Sequence, residues 1–165
     1  MTMTTPTQEI KTFYDAQVEQ ALENCQTAGY QAVFMPQLAD ARMQGIASWN
    51  EWRTTPSIRA TGRTKQGNAV VVYAHIPNWL ANPDHIRTAK QQGLVNYAAR
   101  LPQDEFQRLL GAEDKQTVFV VDHAMLRKES SGTVKIAKAL QHPQTIPFLG
   151  GEERAERYLK AHAQA

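Results

Sequence analysis

Two histidines and an aspartate stand where strands are expected to end, and those residue types can move protons. The run AVVVYAHI, Ala69 to Ile76, is almost continuously apolar and closes on His75. The run TVFVV, Thr117 to Val121, is followed at once by Asp122 and His123. Imidazole has an ordinary pKa close to neutrality, so it can take and return a proton. A neighbouring carboxylate holds one tautomer and favours the charged ring. If the two strands run parallel, His75, Asp122 and His123 emerge together at one carboxyl edge, where the crevices of open α/β sheets lie. Such a set could also hold a transition metal. Neither histidine has a metal-site spacing, so the expectation is a catalytic trio with no metal. The plainer alternative is that polar residues at strand ends merely bond to the following loops.

A second constellation runs from Arg53 to Lys65, RTTPSIRATGRTK, with four cations, five hydroxyls and no acid. Guanidinium forks and hydroxyl donors match phosphate oxygens, and Gly62 would let backbone amides approach an anion. Arg53, Ser57, Arg59, Thr61, Arg63 and Lys65 are therefore the candidate ligand-binding residues. The glycine-lysine-hydroxyl sequence of a P-loop is missing. Trp49, Trp52 and Trp79 flank this segment, and aromatic faces among arginines can stack a base or a sugar. Trp49 and Trp52, spaced by three, more readily read as core anchors on one helical face.

Charge supports an anionic partner. Residues 1–52 carry two basic and six acidic side chains, whereas residues 53–100 carry seven basic ones against Asp84 alone. A central stretch of one sign suits phosphate or nucleic acid. It would equally suit an acidic N-terminal helix packed against it, which would neutralise it.

The elements that must position these groups follow from pattern. Ile10, Phe13, Tyr14, Val18, Ala21, Leu22 and Cys25 recur at helical spacing, and Gly29 stops the run. That helix should pack on the sheet, with Glu9, Asp15, Glu19 and Glu23 outside or facing the basic segment. Gln31 to Met35 reads as a short strand closed by Pro36. Residues 53–68 read as a loop or loosely paired hairpin turned by Gly62 and Gly67. Asn82-Pro83-Asp84 starts a helix that Gly93 stops, and a second helix follows Pro102. Thr133 to Ile136 could form an edge strand before a helical stretch. Residues 142–148 form a stiff connector with two prolines, and Gly151 opens the last helix.

Length and composition bound the class. The chain has 165 residues, 42% of them hydrophobic and 21% charged, enough for one core without disulfides. Cys25 is the single cysteine, read as a buried thiol, which excludes an internal disulfide. No apolar run approaches a bilayer span and the polar start lacks a secretory pattern, so a cytoplasmic protein with no membrane partner is expected. The fold expected is α/β or α+β: a single domain, 1–165, with a flexible tail over 1–6 and a mixed or parallel central sheet covered by helices. The function expected is binding of an anionic or phosphorylated small molecule, with histidine-dependent catalysis left open by the residues. The alternatives are a nucleic-acid-binding module using residues 53–100, and a non-catalytic assembly subunit. No cofactor is specified by these residues, nor is an oligomeric state.

Overall fold

The computed structural model describes residues 10–126 and 133–165, so the tail expected over 1–6 lies outside the described residues. Three strands form one sheet: β1 (Ile58–Arg63), β2 (Ala69–Ala74) and β3 (Val118–Asp122), in the order β1-β2-β3. Both pairings are antiparallel, and the register aligns Arg59 with Tyr73 and Tyr73 with Phe119. The parallel or mixed sheet expected above is thereby corrected. For β1 and β2 the cause is connection length. A tight turn joins β1 to β2, in which the Thr64 N–H donates to the Asn68 carbonyl at 2.9 Å and Gly67 takes the left-handed conformation at φ 88°. Two strands joined so tightly can only run antiparallel. The chain leaving β2 makes two helices and returns to the end it left, where the His75 N–H donates to the Thr117 carbonyl at 2.8 Å.

Those two helices are α3 (Pro83–Gln92) and α4 (Gln103–Gly111). The Asn82 side chain caps α3 by accepting from the Asp84 N–H at 2.9 Å, Pro83 fills the first turn, and Gly93 ends it. The α4 helix lays Phe106 and Leu109 on the sheet face made by Ile58, Ala60, Val70, Val72, Ala74 and Val118. This is the main core. Val71, Tyr73 and Phe119 form a smaller cluster on the opposite face. The valine-rich runs at 69–75 and 117–121 predict two central, largely buried strands; β2 is one, with Val70 to Ala74 all buried, but the second is corrected. β3 is an edge strand, buried at Val118 and Phe119.

Helices α1 (Val18–Thr27), α2 (Met35–Met43), α5 (Ile136–Gln141), α6 (Thr145–Leu149) and α7 (Glu152–Gln164) complete the domain. Leu38, Ala39, Leu149 and Ala155 bind α2, α6 and α7 into a helical cluster. The first helix is shorter than its periodicity implies. The Asp15 carboxylate accepts from the Gln17 N–H at 2.9 Å, a local turn that competes with helix, and Ile10 to Ala16 are not helical. The α1 helix packs on α3 instead of the sheet, with Glu19 on Lys90 and Glu23 on Arg87, both at 2.7 Å. Gln31 to Phe34 pair with no strand, and Pro36 sits in the first turn of α2 rather than closing a strand. Thr133 to Lys135 are likewise outside any strand, and residues 145–148 of the expected connector lie in helix α6. Cys25 is buried, and burial pushes its thiol pKa up. Among the described residues, no helix is long and apolar enough to cross a membrane.

The outer edge of β3 is sealed by its own loop. Asp114 accepts from the N–H groups of Gln116, Thr117 and Val118 at 2.7–2.9 Å and from the Thr117 hydroxyl at 2.7 Å. These four donors, the hydroxyl foremost, hold the Asp114 carboxyl far below the usual carboxylate range. Asp114→Ala is expected to cost about 1–3 kcal/mol, by leaving the Val118 amide unpartnered. Urea unfolding checks it. A loss indistinguishable from zero would show that water replaces the carboxylate.

Candidate functional site

His75 extends β2 by one residue and sits at the seam between sheet and helical cluster, 7% exposed. Its Nε2 lies 2.7 Å from the Pro147 carbonyl of α6, and its Nδ1 lies 2.8 Å from Ser57 Oγ. A carbonyl only accepts, so Nε2 carries a proton, and in the neutral ring Nδ1 accepts from the Ser57 hydroxyl. Ser57 Oγ in turn accepts from the Met35 N–H at 2.8 Å, at the start of α2. The chain Met35–Ser57–His75–Pro147 is satisfied at every link by a neutral imidazole. Burial pushes the His75 pKa down, opposed by its bond to Pro147 and helped by the Arg154 charge.

A serine hydroxyl bonded to an imidazole resembles an activated nucleophile. Here the serine oxygen already holds a backbone amide, and the second ring nitrogen faces a backbone carbonyl where a triad would have a carboxylate. The pair ties three elements together.

The expected trio does not assemble. Because β2 and β3 are antiparallel, His75 faces Thr117 while Asp122 pairs with Val70, five residues away along β2. That places His75 about 17 Å from the end that bears Asp122 and His123. Asp122 caps a short turn, accepting from the Ala124 N–H at 3.0 Å, and His123 is exposed in it. A shared proton-transfer edge is thus corrected: it required parallel strands. Among the described residues, no three of His, Cys, Asp and Glu converge as a metal set.

The candidate anion-binding residues divide. Arg53 is held in place, donating to Thr12 Oγ1 at 3.2 Å, to the Ser48 carbonyl at 3.2 Å and to Glu51 at 2.7 Å. Ser57 belongs to the histidine chain. Arg59, Thr61 and Arg63 alternate along β1 and share the outward-turned, exposed positions of that strand, while Ile58 and Ala60 are buried. The Arg59 Nε donates to the Tyr73 hydroxyl at 3.2 Å, and its guanidinium lies 5.9 Å from the Tyr73 ring centroid. Arg63 donates to the Gly67 carbonyl at 2.8 Å, and Lys65 is exposed in the turn. Among the described residues, no carboxylate reaches ion-pair distance of Arg59, Arg63 or Lys65. Elsewhere in the basic segment Arg53 pairs with Glu51, Arg87 with Glu23 and Asp84, and Lys90 with Glu19, while exposed Arg100, beyond α3, has no described carboxylate at ion-pair distance. Neutralisation by the acidic helix therefore accounts for α3 and leaves the β1 row open.

Gly62 serves packing rather than an anion. A side-chain carbon there would lie 2.5 Å from the Phe106 ring, which occupies that space. Trp49 packs 5.1 Å from Tyr158, and Trp79 stacks on His85 at 4.5 Å, so both anchor structure. Trp52 does not share their role; it is fully exposed, because residues 44–52 form turns instead of the helix that would have given it a buried face. Two surface depressions, of 330 and 630 Å³, lie along Lys115 and the start of α7, and none of the β1 cations lines either. What sequence reasoning missed is the bond from Ser57 to His75. Its signal was the hairpin register, which sets position 57 opposite 75 once residues 64–68 are read as the turn.

No family model matches the chain, and no curated protein matches it. A solved structure does, one described as the accommodation of massive sequence variation in Nanoarchaeota by the C-type lectin fold. It is 51% identical, with a TM-score of 0.83, over 93% of this chain and 73% of that one. Helix and strand mix in one domain around a small antiparallel sheet, and at this identity and coverage the chain belongs to the C-type lectin-fold family that the nanoarchaeal structure represents.

Proposed function

We propose that the chain is a non-catalytic binding module whose contact row is Arg59, Thr61 and Arg63 of β1 with Lys65 at the turn, and whose partner is anionic. The observation that carries this reading is that row: exposed cations at alternate positions of one strand, with no described carboxylate in reach, in a segment whose other cations on α3 are paired. A fold hosts many functions, and the side chains of the row, not the fold, select the ligand. The related structure is described as accommodating massive sequence variation, which fits a family in which exposed side chains choose the partner. The separation of His75 from Asp122 and His123, and the saturation of His75, favour binding over proton-transfer chemistry. A phosphorylated small molecule is the less favoured ligand, because such sites are concave and the row lines neither depression.

The test is a set of binding isotherms at low and moderate salt against polyglutamate, a sulfated oligosaccharide, an oligonucleotide and a neutral oligosaccharide. Binding to anions that weakens with salt, and falls about tenfold or more in the double variant Arg59→Ala, Arg63→Ala, is the expected result. Selective, steeply salt-dependent binding of the oligonucleotide would instead identify a nucleic-acid module. The reading fails if only the neutral sugar binds, or if the double variant binds anions as well as the unaltered protein.

A further inference from the structure

The two edges of the sheet are finished differently. On β3 three outward backbone groups are occupied: the Val118 N–H donates to Asp114 at 2.9 Å, the Val120 N–H donates to Glu113 at 2.8 Å, and the Val118 carbonyl accepts from the Asp114 and Lys115 N–H groups. On β1 the phase of the ladder follows from the Thr64–Asn68 bond at the turn. Alternation from that pair turns the backbone groups of Gly62, Ala60 and Ile58 toward β2, and those of Arg63, Thr61 and Arg59 away from it. Gln107 donates to the Arg63 carbonyl at 3.1 Å. Among the described residues, nothing pairs with the outward N–H and carbonyl groups of Arg59 and Thr61. This is an open strand edge, the kind of template that accepts another strand.

Charge decides which strand. If two copies paired through β1 antiparallel about Thr61, each Arg59 would lie opposite the other copy's Arg63, and like charges directly opposed destabilise a pair. An incoming strand with carboxylates at alternate positions has the reverse effect, because residues two apart fall on one face and would meet Arg59 and Arg63. Its intervening residues would lie beside Ala60 and Gly62, at the margin of the apolar face that Phe106 covers.

We propose that β1 binds an extended acidic peptide as a fourth, edge-added strand, with main-chain bonds to Arg59 and Thr61 and alternate carboxylates on Arg59 and Arg63. This deepens the anion-binding reading and rests on it. The separate content is that the partner is a peptide and that its backbone matters.

The experiment uses the unaltered full chain and a short labelled peptide alternating glutamate and valine. Beside it are a copy N-methylated at the residues whose amides would face β1, a peptide of the same composition with its glutamates in one block, and a sulfated oligosaccharide. The alternating peptide is expected to bind, with exchange of the Arg59 and Thr61 amide protons slowed in the complex. N-methylation keeps every charge and removes the main-chain bonds, so it should weaken binding about tenfold or more. Equal binding of methylated, blocked and alternating peptides would overturn strand addition and leave the anion-binding reading standing. Failure of every anion to bind would overturn both.

Discussion

Phe106→Ala is expected to lower stability by about 3–5 kcal/mol, measured as a shift of the urea unfolding curve. Phe106 is 4% exposed and, with fully buried Leu109, forms the contact between α4 and the sheet. Its ring lies where a side chain at position 62 would be, 2.5 Å from the ideal Cβ. The converse change should therefore hurt as well. Gly62→Ala overpacks this contact, at a cost of about 1–3 kcal/mol in the unaltered chain. In the Phe106→Ala background the same methyl enters vacated space, so its cost should shrink or change sign. Two residues in contact through one volume must show such coupling in a double-mutant cycle. Equal cost in both backgrounds would mean that strand flexibility, and not the ring, is what position 62 requires.

His75→Ala is expected to lower stability by about 3–5 kcal/mol, since it empties a buried volume and strips partners from the Pro147 carbonyl and the Ser57 hydroxyl. The residue also sets a pH dependence. Burial, foremost, holds its folded-state pKa below the ordinary 6.5. Between those two values the unfolded chain is protonated there and the folded chain is not, so acid favours unfolding. Stability from this group is thus fully present above the unfolded pKa and declines as pH falls through it, levelling below the folded pKa. His75→Gln keeps a donor for the Pro147 carbonyl and does not titrate. Unfolding midpoints measured at about pH 7.5 and about pH 5.5 should fall with acid in the unaltered chain and fall less in the variant. An unchanged acid slope would assign the effect to other groups.

Some of this protein was decided locally and could be read from the residues alone. The buried strand at 69–75 is legible because its valine run lacks polar alternation, and α3 because Asn82, Pro83 and Gly93 mark its ends. The acidic and basic halves signalled their own pairing, found at Glu19–Lys90 and Glu23–Arg87. These features depend on neighbours a few residues apart or on the sum of charges, and both are present in one sequence. The direction of β3 is different in kind: it depends on where the chain re-enters the sheet after two helices, and no local residue encodes that. It decided the outcome for the expected trio. The antiparallel return of β3 sent His75 and Asp122 to opposite ends, while the β1–β2 hairpin, whose turn is local, joined His75 to Ser57 and set Arg59, Thr61 and Arg63 on an open edge. The same dependence governs Gly62, which composition reads as a turn residue. Only the tertiary structure, by placing the Phe106 ring against it, makes it a packing residue.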